Sequence, residues 1–245
     1  YFFKMSSYQE SLLNHISDNP EFIKPASRKN EILGFLSKPL NDLCISRPKS
    51  RLSWGIDLPF DNNYVTYVWV DALVNYISAI GWGDDKEKFN RLWPAEYHLI
   101  GKDIITTHAI YWSTMLLATG IELPKTIFAH GWWLIDDIKM SKSLGNTVKP
   151  LELADEYGTD ALRYYIMRNM VLGQDSSFTF DSFVNRYESD LANDYGNLIN
   201  RVLVLINKFF NSKIPVPGNY NEVDLELIEY MEDGCKQTYK LVEKL

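Results

Sequence analysis

The sequence is poor in cysteine and histidine and contains no long apolar run. Its two cysteines, Cys44 and Cys235, lie far apart and match no metal-binding spacing. We therefore expect two free thiols, no structural disulfide and no metal bound by this chain. No apolar stretch is long enough to span a membrane, and the first residues lack the pattern of a signal peptide. These absences predict a cytoplasmic protein without a membrane partner.

Charge and composition are those of a globular protein rather than a nucleic-acid coat. Its 245 residues are 46% hydrophobic and 14% aromatic, which is enough to bury a core in one large or two smaller domains. The formal net charge of -7 argues against a generally basic surface, and we expect no DNA partner. A local basic patch could still bind the phosphates of a nucleotide or an RNA.

Three apolar runs predict the strands of a parallel sheet. Residues 64–70 form a nearly continuous β-branched and aromatic run, typical of a strand buried on both faces, and shorter runs cover 97–100 and 126–129. Helical patterns cover about 71–80 and about 103–118. A strand, a helix and a strand with short joints predict a βαβ unit in an α/β, doubly wound, Rossmann-like sheet.

The strongest chemical signal is a lysine loop that follows the third predicted strand, Lys139-Met140-Ser141-Lys142-Ser143. Its ammonium groups, hydroxyls and backbone N–H groups can surround a triphosphate and stabilise charge during attack at the α-phosphorus. A solvated turn is the alternative for two lysines at this spacing alone. The whole pentapeptide resembles the signature loop of class I aminoacyl-tRNA synthetases, which activate an amino acid with ATP and pass it to tRNA. The resemblance implies catalytic roles for Lys139 and Lys142, with Lys142 making most of the transition-state contact.

Two further segments resemble the methionyl members of that family. Trp69 and Tyr76 lie seven residues apart, which is two helical turns, and Ile104, His108 and Trp112 recur every four residues. Aromatic rings with one weak polar contact suit a polarisable thioether. Core side chains would show the same spacing, which is the alternative. The resemblance implies that these five residues line the methionine pocket.

The resemblance also implies an ATP site at the ends of the predicted strands. Gly101 and Asp103 match the ribose-binding positions, although a helix N-cap is another role open to Asp103. His130 and Gly131 fall where the family's backbone contacts adenine; Gly131 would permit close approach, and a purely structural role is the alternative for His130. The residues expected to bind ATP are Gly101, Asp103, His130, Gly131, Trp133, Lys139, Met140, Ser141, Lys142 and Ser143.

A polar pair in the last third of the chain indicates an RNA partner. Asn197 and Arg201 lie four residues apart on one predicted helix face, away from the apolar positions Leu198 and Val202. An amide and a guanidinium can read the edges of unstacked bases, and the family's anticodon-reading helix resembles this pattern. A solvated polar face is the alternative. The implied partners are methionine, ATP with Mg²⁺, and tRNA(Met).

One signature of the family has no counterpart here. Class I synthetases carry an H-I-G-H motif near the start of the sheet, and none of the four histidines lies in such a pattern. We therefore expect a segment of a longer enzyme whose missing insertion could hold zinc. Sister synthetases for leucine, isoleucine, valine or cysteine, and a non-catalytic tRNA-binding module, are the alternative functions.

The resemblance divides the chain into four expected parts. Residues 1–63 would be the end of the connective insertion with linker helices, and 64–131 the second half of the Rossmann-like catalytic domain. Residues 132–182 would hold the lysine loop and a module that contacts the tRNA stem. Residues 183–245 would begin an α-helical anticodon-binding domain.

Overall fold

The computed structural model describes residues 1–135, 138–140, 145 and 147–242. The chain divides into two compact units, Tyr1–Ser182 and Phe183–Leu245. The strands described in the first unit are β1 (Phe2–Phe3), β2 (Ile23–Lys24), β3 (Leu43–Cys44), β4 (Ser46–Pro48), β5 (Asp57–Leu58), β6 (Asp61–Thr66), β7 (Tyr97–Gly101), β8 (Thr126–His130), β9 (Trp133–Ile135), β10 (Ile138–Lys139) and β11 (Ser176–Ser177).

Helices cover much of the remaining chain. In the first unit they are α1 (Gln9–Asp18), α2 (Ala26–Leu36), α3 (Val68–Ser78), α4 (Lys86–Leu92), α5 (Ser113–Thr119), α6 (Pro150–Tyr157) and α7 (Thr159–Asn169), with 3-10 turns at Met5–Tyr8 and Lys102–Ile104 and a π-helix at Thr107–Trp112. Beyond them lie α8 (Phe180–Arg186), a second π-helix at Tyr187–Gly196, α9 (Asn197–Phe210) and α10 (Glu222–Val242).

A parallel sheet in the order β2, β8, β7 lies at the centre of the first unit. The middle strand β8 is buried almost throughout, and its Ile127 pairs with Ile23 on one side and His98 on the other. Continuous burial is expected for the inner strand of a parallel sheet covered on both faces. The predicted βαβ unit from β7 to β8 is confirmed, and β2 is a strand that the apolar pattern did not reveal.

The predicted parallel strand over residues 64–70 is wrong. The strand is β6, which pairs antiparallel with β4 and β5, and α3 already begins at Val68. Only Val65 of β6 is buried, whereas Leu73 of α3 enters the core. The apolar run is thus a strand end joined to a first helical turn, because β-branched and aromatic side chains are accepted in both settings when tertiary packing covers them.

The main core lies between the helices and the central sheet. Ile77 of α3, Ile110 of the first π-helix and Leu116 of α5 are buried in it. The full set of buried side chains also includes Leu12, Ile16, Phe22, Ile32, Leu36, Trp93, Ile105 and Trp112. Burying each large apolar side chain contributes about 1.5–3 kcal/mol, so this core anchors the ends of β7 and β8 firmly.

The segment after β8 forms a smaller module. Strand β9 pairs antiparallel with β10 and parallel with β11. Helix α6 begins with Pro150, a residue favoured in the first helical turn because its missing N–H has no partner there in any case. Helix α7 buries Ala161, Leu162 and Tyr165.

The second unit is helical throughout its described regular structure. The apolar residues of α9 recur at helical spacing, yet Leu198, Val202 and Leu205 are exposed within this unit. Asn211 and Ser212 have left-handed backbone angles and end α9. Residues 211–221, which include Pro215, Pro217 and Gly218, form the loop between α9 and α10.

Candidate active site

The candidate site lies at the carboxyl ends of two adjacent parallel strands. Gly101, the last residue of β7, pairs with His130, the last residue of β8. Ligands of open α/β sheets bind at this edge, because loops and helix starts converge there. The segments following these two residues carry Asp103, His108 and Lys139.

Tyr76 and His108 form the polar centre of a ring cluster beside this edge. The Tyr76 hydroxyl lies 2.9 Å from His108 Nε2, and His108 Nδ1 lies 2.9 Å from the carbonyl oxygen of Ile104. Because a carbonyl can only accept, Nδ1 donates, and Nε2 accepts from the hydroxyl. The Tyr76 ring centroid is 6.1 Å from that of Trp112, so His108 and Trp112 both face Tyr76.

His98 completes the cluster from β7. Its Nε2 accepts a hydrogen bond of 3.2 Å from Trp112 Nε1, and its ring centroid lies 4.4 Å from that of Tyr76. Trp93 stands behind it, with ring centroids 5.9 Å apart. The imidazole thus holds the Trp112 indole in one orientation through a buried hydrogen bond.

Burial keeps this cluster uncharged at neutral pH. Burial, with a smaller effect from neighbouring His108, lowers the pKa of His98 to about 4. Burial also lowers the pKa of His108, against the opposing effect of its bond to Ile104, and raises the pKa of Tyr76. A wall of neutral rings whose polar atoms are paired suits a polarisable apolar group and disfavours a charged one.

Trp69 and Ile104 are the two other residues predicted to line the methionine pocket. Both are half-buried and pack against the main core. Trp69 is on the same helix as Tyr76, as the sequence predicts. Within the part of the chain that the structure describes, no ring contact joins Trp69 to Tyr76, His98, His108 or Trp112. Their contact with methionine stays a prediction.

The π-helix is a feature of the site that the four-residue spacing did not predict. It covers Thr107–Trp112 and carries His108 and Trp112. A π-helix widens the turn by one residue, and such turns occur often at functional sites. The wider turn still leaves residues four apart on nearly one side, which is why both rings reach Tyr76.

Asp103 is the anionic centre of the neighbouring site. It lies within the 3-10 turn that follows β7, and Gly101 occupies the N-cap position, so the N-cap alternative for Asp103 is wrong. Its carboxylate accepts from Lys139 Nζ at 3.0 Å and from Trp132 Nε1 at 3.2 Å. The hydrogen bond from Lys139 is the main cause that holds the pKa of Asp103 below its usual range. A Cβ at Gly101 would lie 2.7 Å from Asp103 Oδ1, so glycine lets the carboxylate approach the strand end.

His130 and Gly131 are positioned by protein contacts. His130 Nδ1 donates to the Gly131 carbonyl oxygen at 2.7 Å. A side chain at Gly131 would collide with the backbone of Gln174, so the close approach that this glycine permits is between two protein segments. Contact of either residue with adenine stays a prediction.

Trp133 and Met140 line an apolar cavity of about 140 Å³. Leu162, Ile166 and Phe178 contribute to its lining, and the Trp133 ring centroid lies 6.2 Å from that of Tyr165. These two side chains attach the start of the lysine loop to the small module. Their predicted contacts with ATP remain untested by this packing.

Three of the predicted loop residues, Ser141, Lys142 and Ser143, lie outside the described residues. Lys139, at the end of β10, is described and meets Asp103. In the second unit, Asn197 and Arg201 are exposed on α9 at the predicted four-residue spacing.

Within residues 1–135, 138–140, 145 and 147–242, no three histidine, cysteine, aspartate or glutamate side chains are grouped to hold a metal ion. Cys44 and Cys235 are free thiols. None of the helices in those ranges is long and apolar enough to cross a membrane.

Two residues of the site escaped the sequence prediction. His98 fixes Trp112, and Trp132 contacts Asp103 and two lysines. His98 shares one face of β7 with Ile100, and the burial of both becomes visible only in the packed sheet. The contacts of Trp132 depend on segments far apart in sequence.

A parallel sheet with the charged pair Asp103–Lys139 after one strand and a cluster of neutral rings nearby defines an α/β protein of the doubly wound class. Residues 1–203 match the family model described as tRNA synthetases class I (M). The chain belongs to this family, and the predicted resemblance is confirmed.

Curated relatives agree with the family model along the chain. A methionine–tRNA ligase of Clostridium tetani is 49% identical over 247 residues, covering 100% of this chain and 38% of the relative. A methionine–tRNA ligase of Clostridium acetobutylicum is 51% identical over 231 residues, covering 94% of this chain and 36% of the relative. The chain thus spans less than two-fifths of the length of these relatives.

Solved structures share the fold. Methionyl-tRNA synthetase of Mycobacterium tuberculosis bound by methionyl-adenylate is 46% identical, with a TM-score of 0.83, and the match covers 94% of this chain and 45% of that one. The free-state form of the same enzyme gives 43% identity and a TM-score of 0.81. The predicted fold class, the second half of a Rossmann-like sheet followed by helices, is confirmed.

Proposed function

We propose that this chain is part of a methionine–tRNA ligase and contributes its methionine pocket, part of its ATP site and the start of its anticodon-binding region. The main support is that the neutral ring cluster and the charged pair both use the turn after β7: the Ile104 carbonyl accepts from His108, and Asp103 accepts from Lys139. Asp103 and Ile104 are consecutive, so one turn joins an apolar subsite to an anionic one. Such an arrangement would hold an uncharged amino-acid side chain next to a nucleotide.

The amino-acid pocket would use the faces of Trp69, Tyr76 and Trp112 with Ile104 and His108. The Tyr76 hydroxyl donates to His108, which leaves its oxygen lone pairs and the ring faces for the substrate. A thioether has a polarisable sulfur and gains from ring contacts of this kind, at about 0.3–1.5 kcal/mol each. A branched aliphatic side chain lacks the sulfur and the narrow, flexible stem of methionine, so it gains less from contact with these rings. The pocket would therefore favour methionine over leucine, isoleucine or valine.

The ATP site would use Gly101 and Asp103 for the ribose and His130, Gly131 and Trp133 near adenine. The Asp103 carboxylate can accept hydrogen bonds from both ribose hydroxyls, and its lowered pKa keeps it ionised. Lys139 to Ser143 would lie along the triphosphate, as the family resemblance implies. Mg²⁺ would arrive with the phosphates, as is common for this ion. Zinc would belong to the insertion rather than to this chain.

The proposed reaction has two steps. First, a carboxylate oxygen of methionine attacks the α-phosphorus of ATP, the bond to the bridging oxygen breaks, and pyrophosphate leaves with the electron pair. Lys139 and Lys142 would stabilise the charge that develops on the phosphates, without a covalent intermediate. Second, a terminal ribose hydroxyl of tRNA attacks the carbonyl carbon of methionyl-adenylate and AMP leaves.

The proposed tRNA contact involves Asn197 and Arg201. Both side chains are exposed on α9 and can donate to base edges of a single-stranded loop. Replacing either residue with alanine should weaken binding of tRNA(Met) in the complete gene product but leave adenylate formation unchanged. A tRNA carrying a different anticodon should lose affinity for the unmodified protein and little for the Arg201→Ala variant.

We also retain the four-part division of the chain at residues 63, 131 and 182, and a cytoplasmic location, as parts of the proposal. The boundary near residue 182 separates the two compact units. Limited proteolysis of the complete gene product should cut first within the loop at residues 211–221 and only later within the central sheet.

The test of the function is amino-acid-dependent exchange of pyrophosphate into ATP by the complete gene product that contains this chain. Methionine should support exchange, whereas leucine, isoleucine, valine and cysteine should not. Exchange with one of those four amino acids would replace methionine by a sister substrate. Binding of tRNA without any exchange would indicate a non-catalytic tRNA-binding module instead.

A further inference from the structure

Trp132 is the residue that joins the two charged pairs at the edge of the sheet. Its ring centroid lies 4.2 Å from the Lys102 ammonium and 4.2 Å from the Lys139 ammonium. An ammonium group at this distance is attracted by the electron-rich face of an indole. Trp132 is therefore in direct contact with the first lysine of the lysine loop.

Two hydrogen bonds fix the orientation of this indole. The backbone N–H of Trp132 donates to Asp175 Oδ1 at 2.9 Å, and its Nε1–H donates to Asp103 Oδ1 at 3.2 Å. The first bond is possible because Gly131 lets the backbone at Gln174 and Asp175 come close. The ring is thus held at both ends, by segments that are far apart in sequence.

The two ion pairs around the indole differ in their exposure. Lys102 and Asp175 are 2.6 Å apart with side chains 19% and 33% exposed. Lys139 and Asp103 are 3.0 Å apart with side chains 49% and 43% exposed. Because water and salt screen exposed pairs more strongly, the Lys139–Asp103 pair is the easier one to exchange.

In this arrangement Lys139 occupies the carboxylate that ribose would need. Asp103 uses Oδ1 for Trp132 and Oδ2 for Lys139. Each carboxylate oxygen can accept two hydrogen bonds, and a ribose hydroxyl that takes the position of Lys139 at Oδ2 displaces the ammonium group. A second carboxylate would hold the displaced lysine but neutralise it, whereas an aromatic ring holds an ammonium group and leaves its charge available to a phosphate.

We propose that Trp132 is a positioning residue of the ATP site, which retains Lys139 beside the phosphates after the ribose has displaced it from Asp103. This inference rests on the function proposed above. When ribose binds Asp103, Lys139 leaves the carboxylate and turns to the triphosphate. Lys139 stays in contact with the Trp132 indole during this exchange of partners. The Lys102–Asp175 pair stays in place and holds the indole.

The experiment measures pyrophosphate exchange by the complete gene product and its Trp132→Leu and Trp132→Phe variants. Loss of the ring and its N–H in Trp132→Leu should raise the KM for ATP about fivefold to tenfold, the size expected from lost cation–π and hydrogen-bond contacts. Trp132→Phe, which keeps a weaker ring, should raise it about threefold. The KM for methionine should change less than about twofold in both variants. Trp54→Leu is the matched control, because Trp54 is 75% exposed and lies outside the site.

A mutant cycle with Lys139→Met separates positioning from general structural support. If Trp132 acts through Lys139, adding Trp132→Leu to Lys139→Met should change the KM for ATP by less than about twofold. A tenfold rise in the KM for ATP when Trp132→Leu is added to Lys139→Met would overturn the proposal. An unchanged KM for ATP in both Trp132→Leu and Trp132→Phe would also overturn it. If Trp132→Leu does not fold, the same cycle with Trp132→Phe decides.

The failure of this inference can be told apart from failure of the proposed function. Normal methionine-dependent exchange by the unmodified protein, with Trp132 variants that match it, overturns only the role of Trp132. Absence of exchange with any amino acid overturns both. Parallel thermal melts of each variant ensure that KM values are compared between folded proteins.

Discussion

Acidification from pH 7 to pH 5 should remove about 2 kcal/mol from the free energy of unfolding through His98 alone. The imidazole is 5% exposed and accepts a hydrogen bond from the indole of Trp112. Protonation would remove the acceptor and leave a positive charge among rings that cannot solvate it. The folded protein therefore resists protonation of this group, whereas the unfolded chain does not.

The magnitude follows from the two pKa values. Burial, with a smaller effect from His108, lowers the pKa of His98 from 6.5 to about 4. Between these values the unfolded state binds more protons than the folded state, so the free energy of unfolding falls as pH falls through this window. At pH 5 nearly every unfolded chain has bound the proton while about a tenth of folded chains have, which gives the 2 kcal/mol.

The assay is urea denaturation at pH 7 and pH 5, followed by tryptophan fluorescence, for the unmodified protein and the His98→Gln variant. Glutamine keeps an acceptor for the Trp112 N–H but does not titrate, so the variant should lose about 2 kcal/mol less on acidification. His15→Gln is the control. The pKa of His15 is lowered by burial against an opposing effect of Asp18, so its removal should change the pH dependence less.

Other groups affect the result in known directions. The pKa of His108 is also lowered by burial, so the residual loss in His98→Gln should have the same sign. The pKa values of Asp103 and Asp175 are held below 3.8 by hydrogen bonds from lysines, so their contribution is lost only at lower pH, outside this window. Equal losses in the unmodified protein and His98→Gln would refute the argument that His98 is neutral and buried in the folded state.

Three further outcomes are expected. Tyr76→Phe removes the donor to His108 and should raise the KM for methionine about fivefold with little change in the KM for ATP, measured by pyrophosphate exchange; an equal rise in both would contradict a role in the amino-acid pocket. Gly131→Ala collides with the Gln174 backbone and should lower stability by about 1–3 kcal/mol in thermal melts, and an unchanged melt would contradict the close approach. Lys142→Ala should slow activation by about two orders of magnitude at nearly unchanged stability. A proportionate loss of folding would instead deny it a transition-state role.

Much of the fold could be predicted from sequence where one period dominates. The strands at 97–100 and 126–129 are short apolar runs bounded by polar residues, and both appear as parallel neighbours. Strand β8 is buried almost throughout and β7 buries His98 and Ile100, so local pattern and tertiary packing agree in these strands.

The prediction failed where a continuous apolar run carried no period. Residues 64–70 contain the end of β6 and the start of α3, and the residue types alone do not distinguish an antiparallel strand from a buried parallel strand. Strand β2 is two residues long and leaves almost no pattern. Its identity depends on pairing with β8, more than a hundred residues later.

By itself, the sequence determined the residue types of the site and their spacing: the lysine pair of the loop, the glycine and carboxylate after β7, and aromatic residues at helical intervals. The family follows from these, because short motifs record local chemistry. Only the tertiary structure decided which groups meet. His98 reaches Trp112, and Trp132 reaches both lysines and Asp103, because sheet register and a π-helical turn bring distant segments together. Contacts of this kind depend on long-range packing, which no local pattern in the chain encodes.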